Sequence, residues 1–289
     1  LHENKFTIGT IVLKDLIKRA LTGIVFVAII IGGICCHPYT FLLLFCGITG
    51  FTLWEFYGLT EHYEASPIKR LFYTLGGVYL FAATFAYAQG IFGKIVFLPY
   101  IAFLVFVLIF ELYYKDTNPL KNWSISFFAQ AYCAGSLSLL NFLVALPNTS
   151  GELSHIPLFV LAIFVFIWLN DTGAYLIGTM FGKHRLFERI SPKKSWEGFW
   201  GGCVTAVLSS LAFAWFVPEM PWYFWVGFAI IVSVFGTWGD LIESLLKRTL
   251  AVKDSGNVLP GHGGMLDRFD SLLLAIPAAY IYIVLFIRN

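Results

Sequence analysis

Charge is what this chain most lacks. Asp, Glu, Lys and Arg make up 12% of its 289 residues, fewer than the aromatic residues at 18%. A water-soluble domain of this size cannot cover its surface with so few polar side chains, so a large apolar area must face something other than water. Ten-residue stretches of alternating apolar and polar residues are missing as well, which argues against a transmembrane barrel. Cysteine occurs only as Cys35, Cys36, Cys46, Cys133 and Cys203, all inside apolar stretches and without a C-x-x-C pair. Neither a zinc site nor a disulfide framework is indicated, and the five read as small buried hydrophobes. No fixed-period repeat, low-complexity tract or appended soluble domain interrupts the chain. Residues 1–20 are charged and amphipathic and do not read as a cleavable signal peptide.

What fills the chain instead is long hydrophobic runs. A helix crossing the ~30 Å hydrocarbon core needs about 20 mainly apolar residues. Such runs lie near 20–36, 39–60, 71–89, 94–114, 124–147, 156–180, 197–217, 222–246 and 269–287. A helix satisfies its own backbone hydrogen bonds in lipid. The expected fold class is therefore all-α, a polytopic integral membrane protein with about nine transmembrane helices. Residues 1–150 read as an N-terminal set of transmembrane helices and 151–289 as a C-terminal catalytic region of one membrane-embedded unit. With the N-terminus inside, the basic residues of the inner loops include Lys69, Arg70, Lys183, Arg185, Lys193, Lys194, Lys247, Arg248, Lys253 and Arg268, and only Lys94 and Arg288 fall outside. This asymmetry matches the rule that lysine and arginine collect on the cytoplasmic side. A basic inner face meets anionic lipid and anionic solutes.

The polar residues that do occur are concentrated. Asn170 and Asp171 lie inside the sixth run, in "IWLNDTGAYLIG", and Asp240 lies inside the eighth, in "VFGTWGDLIESLLKR". A carboxylate at the centre of a membrane helix costs about 2.5–3.5 kcal/mol on insertion scales, so each needs a compensating partner. Asp240, Glu243, Ser244, Lys247 and Arg248 share one helical face and form a polar stripe descending from the inner side. Lys247 and Arg248 also mark the inner end of that span. In "ERISPKKSWEGFWGG", Ser191 followed by Pro192 predicts a helix start with Lys193 and Lys194 in its first turn, a place that suits an anion such as phosphate. The stretch "KDSGNVLPGHGGMLDRFDS" holds Lys253, Gly256, Gly261, His262, Gly263 and Gly264, then Asp267, Arg268 and Asp270. Its glycines allow a tight loop with inward-facing N–H groups. Arg268 can hold a phosphate or tie the loop down, and His262 reads equally as an oriented donor or as a plain loop histidine. Hard carboxylate oxygens without thiols suit Mg²⁺.

Two familiar nucleotide signatures fail. "GTMFGKH" has too few residues between its glycines for a P-loop and no preceding strand. No G-x-G-x-x-G opens a strand–helix unit, so a dinucleotide fold is not supported.

"SLLKRTLAVKDSGNVLPGHGGMLDRFD", residues 244–270, resembles the signature of the phosphatidate cytidylyltransferase (CDP-diacylglycerol synthase) family. That signature is a serine and a nearby Lys-Arg pair, then Lys-Asp, a small residue and H-G-G-x-x-D-R-x-D. "NDTGAYLIGTMFGKH" and "ISPKKSWEGFWGG" are similar to further family segments, so the resemblance covers the chain from about Trp168 onward. It implies transfer of a cytidylyl group from CTP to phosphatidic acid, releasing pyrophosphate, in a bacterial inner membrane with the site facing the cytoplasm. On this reading Asp240, Asp267, Asp171, Lys247 and Arg248 are the catalytic candidates, with Mg²⁺ at Asp240 and Asp267 and a monovalent cation such as K⁺ beside it. Lys193, Lys194, Ser244, Lys253, His262, Gly263, Gly264, Arg268 and Asp270 are the substrate-binding candidates. The implied partners are CTP, phosphatidic acid, membrane lipid and a second copy of the chain, with no nucleic acid. The rivals are a transporter, which would place its polar residues at mid-membrane rather than toward one face, and another lipid-headgroup enzyme such as a CTP-dependent polyprenol kinase. The D-G and A-R pattern of CDP-alcohol phosphotransferases is absent from the sequence.

Overall fold

The computed structural model describes residues 22–60, 67–113, 118–147, 153–256 and 263–288. In chain order the helices are α1 (Thr22–Cys35), α2 (Pro38–Thr60), α3 (Pro67–Ala88), α4 (Lys94–Tyr113), α5 (Pro119–Val144), α6 (Leu158–Phe181), α7 (Trp196–Phe216), α8 (Trp222–Thr249) and α9 (Leu266–Arg288). Two short antiparallel hairpins complete the described elements. β1 (Ala145–Pro147) pairs with β2 (Leu153–His155), and β3 (Arg185–Phe187) pairs with β4 (Ser191–Ser195). Among the described residues, eight helices are long and apolar enough to cross a membrane, and α1 is a shorter apolar helix. The protein is thus an all-α polytopic membrane protein, with helices on the runs expected from hydropathy.

Helix starts are where hydropathy misleads. α3, α5 and α9 begin at Pro67, Pro119 and Leu266, several residues ahead of their apolar runs. Each continues past the apolar stretch into a polar first turn. Proline opens α5 with its φ already helical, and Asn118 caps it by accepting the Lys121 N–H at 3.2 Å. The opposite error occurs before α7. Residues 191–195 form strand β4, and the helix starts after Ser195, whose hydroxyl accepts the Gly198 N–H at 3.1 Å. Ser191 and Pro192 therefore do not begin a helix, and Lys193 and Lys194 belong to a strand rather than to a helical first turn.

The helices alternate in direction and define two ends. At one, a ring nitrogen of His155 beside β2 lies 2.8 Å from the Ile34 carbonyl of α1, and Tyr282 of α9 donates to the Phe224 carbonyl of α8 at 3.0 Å. At the other, the β3–β4 hairpin meets the end of α8, where the Arg248 guanidinium donates to the Ile190 carbonyl at 3.4 Å. Between the ends runs a continuous apolar cluster from Ile30 to Ile283. It is rich in phenylalanine: Phe41 and Phe45 stand 4.7 Å apart, and Phe224 meets Phe286 edge-on at 4.7 Å. Outward side chains such as Leu43, Leu208 and Trp215 are exposed and apolar, as a lipid-facing surface requires.

Small residues bring the C-terminal helices close together. A Cβ at Gly202 of α7 would fall 2.6 Å from the Asn170 carbonyl of α6, and one at Gly239 of α8 would fall 2.6 Å from the Asp270 carbonyl of α9. The second approach sets Asp240 beside Asp270. The cysteines form no disulfide; Cys133 and Cys203 are buried, whereas Cys35 and Cys36 are exposed, against the expectation that all five are buried. Both lie at the end of the short α1, where few neighbours cover them.

In the N-terminal helices the buried polar groups answer one another. A π-helical turn, Gln130–Gly135, interrupts α5, and Gln130 donates to the Tyr57 hydroxyl at 3.0 Å and to the Tyr73 carbonyl at 2.8 Å. Lys69 of α3 pairs with Glu111 of α4 at 2.9 Å with both side chains buried, and the Asn122 amide of α5 donates to the other Glu111 oxygen at 2.9 Å. Breaking a buried pair by removing one partner costs about 3–5 kcal/mol, whereas exchanging both for apolar groups is often neutral. Glu111→Ala should therefore lower thermal stability in detergent sharply, and the Lys69→Met/Glu111→Leu double variant should recover most of it. Equal losses in the two variants would show that the pair is not the source of stability.

Candidate active site

The polar stripe of α8 divides into two ion-paired groups. The nearer to mid-helix is Asp240, which accepts from the Ser244 hydroxyl at 3.2 Å and from the ammonium of Lys194, reached across from β4. The second is Glu243, fully buried, with Lys247 one turn on at 2.6 Å. Lys247 also contacts Asp267 of α9 at 2.8 Å, so one ammonium counters two carboxylates from two helices. Hydrogen-bonded opposite charges are the condition on which carboxylates tolerate burial in a membrane protein.

Asp267 is the most densely held of these groups. It accepts N–H groups from Ser255 at 3.1 Å and from Gly264 at 3.0 Å, besides the Lys247 ammonium. Gly263 has φ +81°, a left-handed conformation that glycine adopts without strain, and it turns the chain so that Gly264 faces Asp267. Asp270 follows one turn later on α9, close enough to Asp240 and Glu243 to interact electrostatically with both. His262 lies outside the described residues. Lys253 is exposed in the loop, and Arg268 is exposed on α9.

Two cavities open around this cluster. The first, about 350 Å³, is lined by Asn170, Asp171, Lys193, Lys194, Thr237 and Asp240 among others, so two lysines and two aspartates face it. The second, about 550 Å³, has an apolar wall from α1 that includes Gly23, Val25 and Phe26, with Asp171, Asp267, Arg268 and Asp270 on its far side. Asp171 borders both. The Asn170 side-chain oxygen is buried and has no hydrogen-bond partner among the described residues.

The structure thus gathers Asp171, Lys193, Lys194, Asp240, Ser244, Lys247, Gly263, Gly264, Asp267, Arg268 and Asp270 at one end of the bundle. Arg248 is tied to the hairpin backbone instead of facing either cavity. Among the described residues, no three His, Cys, Asp or Glu side chains converge as a ready-made metal cluster. The oxygen-only chemistry of Asp240 and Asp267 nevertheless fits a hard divalent cation, which takes few protein ligands and completes its shell with phosphate and water. Lys194 and Lys247 supply the positive charge at those two carboxylates here.

A sequence model described as "Cytidylyltransferase family" matches residues 17–286. The chain belongs to that family. It is similar to a protein of Staphylococcus aureus (strain COL) named "Phosphatidate cytidylyltransferase", 43% identical over 161 residues, which are 55% of this chain and 61% of that protein. It is also similar to a protein of the same name from Staphylococcus epidermidis (strain ATCC 12228 / FDA PCI 1200), 41% identical over 162 residues, again 55% of this chain and 61% of the relative. The aligned stretch therefore spans about three fifths of the length of these curated relatives.

Two carboxylates of this cytidylyltransferase-family chain escaped the reading of its sequence. Glu55 of α2 is buried and reaches the N-terminus of α9. Glu197, in the first turn of α7, accepts the N–H groups of Lys183 at 3.1 Å and His184 at 3.2 Å and lies 2.6 Å from the His184 ring, which closes the base of the hairpin. A glutamate inside an apolar run was signal enough to find Glu55. Because the hairpin and the α8–α9 loop share one end, cysteines at the exposed positions Glu188 and Lys253, in a background without the five native cysteines, should react with an impermeant maleimide from the same side of sealed vesicles. Labelling from opposite sides would separate the two loops and dissolve the site.

Proposed function

We propose that the protein transfers a cytidylyl group from CTP to phosphatidic acid, giving CDP-diacylglycerol and pyrophosphate, at the cytoplasmic face of a bacterial inner membrane. The observation that carries this reading is the pair of cavities meeting at Asp171, one presenting Lys193 and Lys194 beside Asp171 and Asp240, the other walled by an apolar helix. A reaction between a soluble triphosphate and a membrane lipid needs both kinds of surface side by side. The family membership and the names of the relatives support the same reading.

In this mechanism an oxygen of the lipid phosphate attacks the α-phosphorus of CTP, a new P–O bond forms, and the α–β bridging oxygen leaves with the bond's electron pair as part of pyrophosphate. A phosphate monoester is largely ionised near neutral pH, so positioning and charge neutralisation carry the rate rather than a strong base. Lys193 and Lys194 neutralise the triphosphate from the hairpin side. Arg268, on the rim of the apolar cavity, takes the lipid phosphate. Lys247 holds Asp267 in place through its ion pair, and Ser244 does the same for Asp240. Asp240 and Asp267 would hold Mg²⁺, which when bound supplies Lewis-acid stabilisation of the leaving phosphates.

The test is purified protein in lipid vesicles with phosphatidic acid and CTP labelled at the α-phosphate, with label appearing in an organic-soluble product. Absence of CDP-diacylglycerol with folded protein, both substrates and Mg²⁺ present would refute the reading. Asp240→Asn and Asp267→Asn should each lower kcat by about 10²–10³-fold. Lys193→Ala should raise KM for CTP about tenfold, the loss of one charge-assisted contact. Unchanged kinetics in any of these variants would remove that residue from the mechanism.

The apolar cavity generates its own prediction. A Cβ built at Gly23 meets nothing within 4 Å, and Gly23 lines this cavity, so Gly23→Trp places added bulk at its wall. KM for phosphatidic acid should rise several-fold while KM for CTP stays within about twofold, since Gly23 does not line the cavity with Lys193 and Lys194. A rise in KM for CTP alone would assign the cavity to the nucleotide.

A further inference from the structure

A membrane-embedded carboxylate with no lysine or arginine beside it needs another source of compensation. Glu55 sits near the end of α2, 3% exposed, and forms no ion pair among the described residues. Its Oε2 accepts the Leu266 N–H at 2.8 Å and the Ser255 hydroxyl at 3.2 Å. Leu266 is the first residue of α9, so the compensation comes from free N–H groups and the positive end of a helix dipole. Oε1 has no hydrogen-bond partner among the described residues.

The loop is shaped to receive this carboxylate. A Cβ at Gly256 would come within 2.7 Å of Oε1, and one at Gly264 within 2.5 Å of Oε2 and 2.1 Å of the Ser255 hydroxyl oxygen. The same two loop segments hold Asp267 on their other side. The Ser255 N–H and the Gly264 N–H both donate to Asp267, and the Asp267 N–H returns a bond to the Ser255 hydroxyl at 3.3 Å. Ser255 thus hydrogen-bonds a carboxylate of α2 through its side chain and a carboxylate of α9 through its backbone.

We propose that Glu55 is a positioning residue for Asp267, acting from α2 through Ser255 and the first turn of α9. The proposal deepens the cytidylyltransferase reading above and rests on it for the role of Asp267. It gives α2, outside the C-terminal segments that resemble the family signature, a part in the reaction: the catalytic loop is clamped against a buried carboxylate that touches no substrate. The sharpest alternative is that Glu55 only caps α9 and adds stability.

The experiment uses the full chain in lipid nanodiscs and compares Glu55→Gln, Glu55→Ala, Ser255→Ala and the Glu55→Ala/Ser255→Ala double variant. The readouts are kcat and KM per folded enzyme, melting temperature, and amide hydrogen exchange across residues 253–268. Glu55→Ala should lower kcat about 10²-fold with KM for phosphatidic acid within about twofold. Exchange at Leu266 and Asp267 should accelerate at least about tenfold while exchange in α3 is unchanged. Glu55→Gln keeps one acceptor oxygen and should recover kcat to within about tenfold of the parent. Adding Ser255→Ala to Glu55→Ala should change kcat by less than about twofold, because the two act in series.

A fall in melting temperature with kcat per folded enzyme preserved would overturn the proposal, as would additive effects of the two substitutions. If Glu55→Ala does not fold, Glu55→Gln and Ser255→Ala decide it: a kcat drop in both with local exchange acceleration supports positioning, and parent-like kcat in both refutes it. If the parent protein makes no CDP-diacylglycerol, the functional reading fails on that result alone. Exchange at Leu266 and Asp267 still settles whether Glu55 orders the loop.

Discussion

The ion pair between Lys247 and its two carboxylates is the contact on which the site end of this molecule depends. Two helices, α8 and α9, each carry an acidic side chain into a region where isolated negative charge is strongly disfavoured, and one ammonium lies within 2.8 Å of both. Remove it and Glu243 and Asp267 repel across the α8–α9 interface, which Gly239 has already made close. Lys194 plays the same part for Asp240, but from a strand outside the bundle. Lys194, one of the two lysines that would meet a triphosphate, is thus also the one that keeps Asp240 compatible with its surroundings. Structure and chemistry meet at that one lysine.

Around that contact the N-terminal helices form more than packing material. α2 reaches the α8–α9 connection and the start of α9 through Glu55, and α1 supplies the apolar wall of the larger cavity. Their neighbours α3, α4 and α5 are locked by the buried Lys69, Glu111 and Asn122 group and by the hydrogen bonds of Gln130. A loop that must present several backbone N–H groups inward needs a rigid surface behind it, and this set of helices is that surface.

Much of this was legible in the sequence, and the exceptions have physical causes. Long apolar runs located the helices because the backbone has no alternative to helix in lipid. Asp171 and Asp240 stood out because charge in such runs demands explanation, and Asp267 because it follows a glycine-rich interruption between two of them. The start of α7 was misplaced because Ser191-Pro192 and Ser195 offer competing capping signals, and pairing with Arg185 and Phe187 draws residues 191–195 into a strand. Glu55 was passed over because the polar stripe of α8 drew attention to charges that are close in sequence. Its partners, Ser255 and Leu266, lie some two hundred residues away, as the bond separations of 200 and 211 record. The pairing of Lys194 with Asp240 and the sharing of Lys247 are likewise tertiary facts that no spacing rule encodes.

The wall at Asp171 has a consequence for traffic. Asp171 borders two chambers, one presenting Lys193 and Lys194 and one walled by α1, so under the proposed reaction the phosphates of CTP face the lysines and the acyl chains face α1. In that reaction the lipid product spans both chambers, whereas pyrophosphate has no greasy part to anchor it and belongs to the chamber with the lysines. The two products of that reaction would then part company, the lipid into the bilayer and pyrophosphate into water. Neither has to wait for the other.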